Sequence, residues 1–416
     1  MVGDGHCEIA AAPGSDRENH PPAEAGPLLR KEGSFKMESN FLTKLKWNLP
    51  WLVRYPLARG QNFLGKYAFE KKHIVFTIAN HFEPAWSDNG PLDLKTQRKR
   101  LSEYHKLARQ TGEAIRDVDG TQFRHTNFYP GEQYDAAILD EMAEMQSEGL
   151  GDVEIHLHHG VDRPDTAENL RSSLTEFRDT LAEKHRCLSR LNGSGDPMYA
   201  FVHGNLALGN SCGGRYCGVD EEVQILQDTG CYADMTLPSA PDQSQVAVIN
   251  SIYECGLPLT QNTPHAKGKN VEVNGNQPLL PLIFTGPLVF NWTRQIRGIP
   301  VPRIEDGALT ANQPSDLARF DRWVSANVTV KGRSDWVFVK LYCHGFFDGD
   351  QSACIGEDAR RFFSEIIENG EKTGDYKVYF AGARESFNMV LAAIDGKKGN
   401  PGLYRDYRLR PIMGEK

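Results

Sequence analysis

From His73 onward the chain alternates short apolar runs with longer amphipathic stretches, a rhythm that few architectures accommodate. HIVFTIA, FRHTNFY, VEIHLHH, MYAFVHG, VAVINSIY, PLIFTGPLVFNW, DWVFVKLYCHG and YKVYFAG read as strands, with a further short one over 232–237. Between them, apolar residues recur at helical spacing over 94–109, 134–148, 166–184, 221–228, 315–326, 357–368 and 384–393. Such alternation builds βα units on a parallel sheet. The predicted fold is α/β: a (β/α) barrel of seven or eight parallel strands over 73–416, interrupted by one long loop at about 257–277.

A chain of 416 residues with 39% hydrophobic content can fill such a core. Residues 1–39 lack apolar periodicity and read as a disordered tail. Residues 40–72 interleave Lys and Arg with Trp, Tyr and Phe. They suit either contact with an anionic membrane surface or a segment strapped over the barrel exterior, and Pro50 and Pro56 predict a broken helix there. The net charge of -8 gives no footprint for nucleic acid. Neither a secretory signal nor a membrane span is legible; the most apolar stretch, 279–292, is interrupted by Pro281, Gly286 and Pro287 and reads as a buried strand. Eight scattered cysteines then predict reduced thiols and a cytoplasmic protein. Cys212 and Cys217 are spaced too widely for the usual zinc pair.

In parallel barrels, chemistry collects at the C-terminal ends of the strands. Here those ends carry Asn80, His81 and Glu83; His156, His158 and His159; His203 and Asn205; and Cys343 and His344. A lone strand-end histidine is usually bonded to a backbone carbonyl, whereas several converging on one rim suit a divalent metal, Zn, Mn, Co or Ni. Strand alternation puts His156 and His158 on one face, while His159 faces away or begins the loop. Asp162, four residues after His158, would meet it if the chain turned helically through Gly160; otherwise it helps start the next helix, for which Asp165 is the better N-cap. If the strand continues to Pro84, His81 and Glu83 alternate on one face, the carboxylate serving as ligand or general base; otherwise Glu83 makes a loop salt bridge. Arg124, His125, Tyr129 and Glu132 line the same rim or cap the helix after it, and carry no catalytic assignment. The glycines of FVHGNLALGNSCGGRYCGVDEE would let backbone approach a polyhydroxyl ligand, or merely shape a long loop.

The strand-end motifs FTIANHFEP, EIHLHHGVD and VKLYCHG resemble those of the polysaccharide deacetylase (NodB-like) family of the glycoside hydrolase/deacetylase superfamily. The resemblance implies an irregular (β/α) barrel and a metal-dependent hydrolase that removes an N- or O-acetyl group from a carbohydrate or glycoconjugate. It places metal ligands at His158 and Asp162 and the general acid at His344; the strand-end reading adds His81 and His156 as further donors. The family's paired acids fall at Ala79 and Asn80, so the base passes to Glu83, leaving Asn80, His203 and Asn205 as substrate contacts. Two other readings stand beside it. One is an amidohydrolase or PHP-type metallohydrolase built on His156-x-His158, with Lys340 as its bridging lysine; the other is a non-catalytic carbohydrate-binding protein that has lost its base.

Overall fold

The strand runs assemble into a mixed α/β fold with a mostly parallel central sheet, seen in a computed structural model that describes residues 41–66, 71–347 and 349–414. The expected disordered tail, 1–39, lies outside the described residues. Its parallel strands are β1 (Lys72–His81), β2 (His125–Pro130), β3 (Gly151–Leu157), β4 (Ser194–His203), β5 (Cys231–Asp234), β6 (Leu282–Phe284), β7 (Trp336–His344) and β8 (Tyr376–Phe380). They lie side by side in the order β7-β1-β2-β3-β4-β5-β6. One edge of β1 is shared, with β8 pairing at residues 72–76 and β2 at 79–81. Helices follow most strands; Asp93, Asp135, Thr166 and Asp316 cap four of them by accepting a backbone N–H bond.

Alternate residues of a strand enter different cores. Ile74, Phe76 and Ile78 of β1, Val153 and Ile155 of β3, Tyr199 and Phe201 of β4, and Val337, Val339 and Leu341 of β7 pack with Leu101, Leu139, Leu174 and Phe363 of the surrounding helices. Val75 and Ala79, Ala200 and Val202, and Trp336 and Phe338 join the opposite core with Tyr232 and Phe387. Both faces are therefore covered, as a parallel sheet requires. Because the strands pair in register, His81 lies beside His344, and Leu157 beside His203.

Three expectations change. VAVINSIY yields only Ile252–Cys255, which runs antiparallel to β6 and is flanked by Gly268–Asn270, so the expected loop at 257–277 contributes a strand of its own. The 279–292 stretch divides into β6 and Val289–Asn291. Most plainly, Pro50 and Pro56 do not break their helix, which runs over Phe41–Lys66. Each proline forgoes one backbone bond. Against that loss, Trp51 is fully buried with Ala240, Ile249 and Leu288, and the Trp51 and Tyr55 rings pack on Phe290. Among the described residues no helix is long and apolar enough to cross a membrane.

Candidate functional site

Two buried groups of metal-capable side chains sit at the C-terminal end of β3, on opposite faces of the sheet. The first gathers Glu83, His156 and His158. His156 Nδ1 donates to the Val202 carbonyl at 2.9 Å, so in the neutral ring the Nε2 lone pair faces Glu83 Oε1, 3.5 Å away. His158 Nδ1 donates to Glu132 Oε1 at 2.6 Å, and its Nε2 lies 3.1 Å from the same Glu83 oxygen. Two imidazole nitrogens and one carboxylate oxygen thus converge, each ring fixed from behind by an acceptor. That is how metal-binding histidines are held.

The His81 ring lies 4.8 Å from that of His156 and 4.5 Å from that of His344. His344, half-buried, stacks on Phe347 at 4.2 Å. A continuous row of imidazoles therefore runs from His344 through His81 and His156 to His158. Gly204 backs this row: a Cβ there would run into the His158 ring.

The second group holds His159, His203, Cys217 and Glu222. His159 donates from Nδ1 to Asp165 Oδ2 at 3.0 Å and lies 3.1 Å from Glu222 Oε1 through Nε2. Glu222 Oε2 accepts from Gly209 N at 2.6 Å and from Cys217 Sγ at 3.4 Å. Burial opposes a charge on His159, but hydrogen bonds with Asp165, Cys217 and Glu222 outweigh it and hold the ring's pKa well above its usual value. Burial likewise opposes ionisation of Glu222, yet the His203 and His159 imidazoles and the Gly209 N–H hold it down at about 2. Burial pushes His203 down to about 3.

Strand parity explains which residues meet. His81, His156 and His344 share the face of Val75, Ala79, Val202 and Phe338, whereas His203 follows Tyr199 and Phe201 onto the helix-covered face. The imidazoles expected on a single rim are thus divided between two faces, and His203 stands with His159 instead of with His81. Asn80 also belongs to the helix-covered face, and this alters its expected role as a substrate contact. Its amide donates to the Tyr104 hydroxyl at 3.0 Å and to Asn127 Oδ1 at 3.1 Å, while its Oδ1 accepts from Gly345 N at 2.8 Å. Tyr104 in turn donates to His125 Nδ1, and His125 Nε2 donates to the Cys354 carbonyl; burial pushes this ring down to about 4, so it is neutral.

Asp162 is exposed and stands apart from both groups. The helical turn that would have brought it beneath His158 does not form, because Gly160 takes a φ of 66° and the chain bends away. Asn205 follows His203 into the loop, half-buried, its backbone N–H directed at His203 Nδ1 at 3.3 Å. Lys340 is buried and donates to the Met235 carbonyl at 2.8 Å; burial pushes its ammonium down to about 7, and it belongs to neither group.

Four partners had no assigned chemistry in the sequence. Glu132 does carry a local signal, since it follows β2 as directly as Glu83 follows β1. Asp165 was expected to cap the next helix; Thr166 takes that position and Asp165 turns to His159. Cys217 and Glu222 arrive through the glycine-rich loop, which no local periodicity predicts.

No family model matches this sequence, and no curated protein matches it.

Proposed function

We propose that the protein is a metal-dependent hydrolase of the polysaccharide deacetylase type, built on an irregular (β/α) barrel, that removes an acetyl group from a carbohydrate or glycoconjugate. One observation carries this reading: His156 Nε2, His158 Nε2 and Glu83 Oε1 converge at buried strand ends, with both rings oriented from behind by Val202 O and Glu132. These donors fit a divalent ion such as Zn, Mn, Co or Ni, and Glu83 becomes a ligand instead of the base. Bound there, such an ion would polarise an acetyl carbonyl and acidify a water molecule. The contact from Lys340 of β7 to Met235, which follows β5, supports the barrel by bringing the distant strands of the sheet together.

The remaining work falls to side chains. Glu132 keeps the proton of His158 on Nδ1, so that Nε2 stays available. His344, the half-buried member of the row, is placed to give a proton to the departing amine or alcohol, and His81 beside it to relay one. Lys340, tied to Met235 and apart from the donors, leaves the amidohydrolase reading without its bridging lysine.

The decisive measurement is acetate release from N- and O-acetylated sugars by protein purified from zinc- or manganese-supplemented cultures, alongside its metal content. Stoichiometric metal with acetate release is the expected result. Metal without hydrolysis of any acetylated sugar would overturn the deacetylase reading, and protein free of metal at His156 and His158 would overturn the metalloenzyme.

A further inference from the structure

We infer that His159, Cys217 and Glu222, closed by His203, form a second metal site, one that takes zinc and fastens the loop between β4 and the Glu222–Asp228 helix to the end of β3. Each residue offers one donor atom, and all four atoms lie within 4.8 Å of one another in a fully buried setting. A thiolate, imidazoles and a carboxylate form a mixed donor set of the kind zinc accepts in tetrahedral sites, whereas magnesium and calcium prefer oxygen alone.

Three further features point the same way. Asp165 accepts a hydrogen bond from His159 Nδ1, which leaves Nε2 directed at Cys217 and Glu222. His203 Nε2 is buried, makes no hydrogen bond and points toward Glu222 Oε1 at 3.6 Å. The loop is already docked: Tyr216 N donates to Gly160 O at 2.9 Å and Asp165 N to Cys217 O at 2.8 Å, while Gly160 lies so close to the Cys217 backbone that no Cβ fits.

Binding would release the Cys217 thiol proton and the His159 Nε2 proton to solvent, leaving His159 neutral with its Nδ1 proton hydrogen-bonded to Asp165 and a zinc(II) balanced by one thiolate and one carboxylate. His203 joins with its proton on Nδ1, giving up the long 3.3 Å contact from Asn205 N–H. The site then ties together β3, the end of β4 and the helix that begins at Glu222. Because His159 is one of its ligands, it also steadies the neighbouring His158.

This inference is independent of the proposed hydrolysis, and sulfur separates the two sites, since no cysteine belongs to the Glu83 group. The test is to load the full-length protein with cobalt(II) and record its absorption spectrum, and to measure zinc content in parallel. The wild type should show thiolate-to-cobalt charge transfer in the near ultraviolet. Cys217→Ser should lose that band and one equivalent of zinc, while His158→Ala should keep the band and lose the other equivalent. Cys217→Asp, which retains an anionic donor, should recover the zinc without the band and so guards against misfolding of the serine variant. A wild type that binds no zinc beyond the His158 equivalent, or shows no thiolate band, overturns the site; so does a band that survives Cys217→Ser. Failure of the Glu83 site alone would appear differently, as a zinc content indifferent to His158→Ala with the thiolate band intact.

Discussion

Two histidine clusters flank the single peptide bond between His158 and His159, yet they face opposite sides of the sheet and are wired differently. In the Glu83 group the rings are held by partners outside the donor set, Val202 O and Glu132, so that their remaining nitrogens converge. In the Glu222 group His159 is likewise held from behind, by Asp165, but the set includes a thiol, and a backbone N–H from Gly209 helps to hold the carboxylate. The donors of both groups are buried, and the difference lies beside them: from the Glu83 group a row of imidazoles continues through His81 to the half-buried His344. A donor set continued by a row of imidazoles to a half-buried one suits turnover, and a thiol-containing set beneath its own docked loop suits structural fastening. The same residue types therefore serve different ends according to what orients them and whether a substrate can arrive.

His158→Ala should break the comparison most completely. Acetate release should fall to background and the metal held by the Glu83 group should be lost, with circular dichroism unchanged; retained metal would remove His158 as a ligand. His344→Ala should lower turnover by about 10²–10⁴-fold while metal content stays constant, as expected for loss of a general acid. Full activity in that variant would take His344 out of the mechanism.

Glu222→Ala acts on the other face and should instead appear in stability. It strips His159 and Gly209 N of a buried anionic partner, a change expected to cost about 3–5 kcal/mol in denaturant unfolding. A loss confined to activity would mean that the clusters' roles are exchanged. Glu132→Gln should weaken metal affinity at the His158 site by about 10–100-fold, read by chelator competition, because it removes the carboxylate behind the ring. Asp162→Ala should leave stability within about 0.5 kcal/mol of the wild type and metal content unchanged, since the residue is exposed and outside both groups.

Much of this arrangement is legible along the chain wherever the governing interaction is local. The apolar alternation located β1, β3, β4 and β7, and the rule that polar residues collect where parallel strands end pointed to His81, Glu83, His156, His158 and His344. The placing of His156 with His158, and of His159 apart, followed from a side-chain period of two. The same period, applied across strands, would have set Asn80 and His203 on the helix-covered face, but that step needs to know which face of each strand turns inward. The prolines of Phe41–Lys66 misled for a different reason: the propensity of a short segment is outweighed when Trp51 is buried against residues some two hundred positions away.

The sequence alone determined the order of strands and helices and the residues brought to each strand end, because periodicity and strand-end position depend on neighbours along the chain. Only the tertiary structure decided that Glu132 stands behind His158, that Asp162 does not, and that Cys217 and Glu222 cross a long loop to reach His159. The first is set by the pairing of β2 with β3, and the other two by how the chain bends at Gly160 and how closely the loop docks upon it. Contacts of that kind are made between segments far apart in sequence, and no local pattern encodes them.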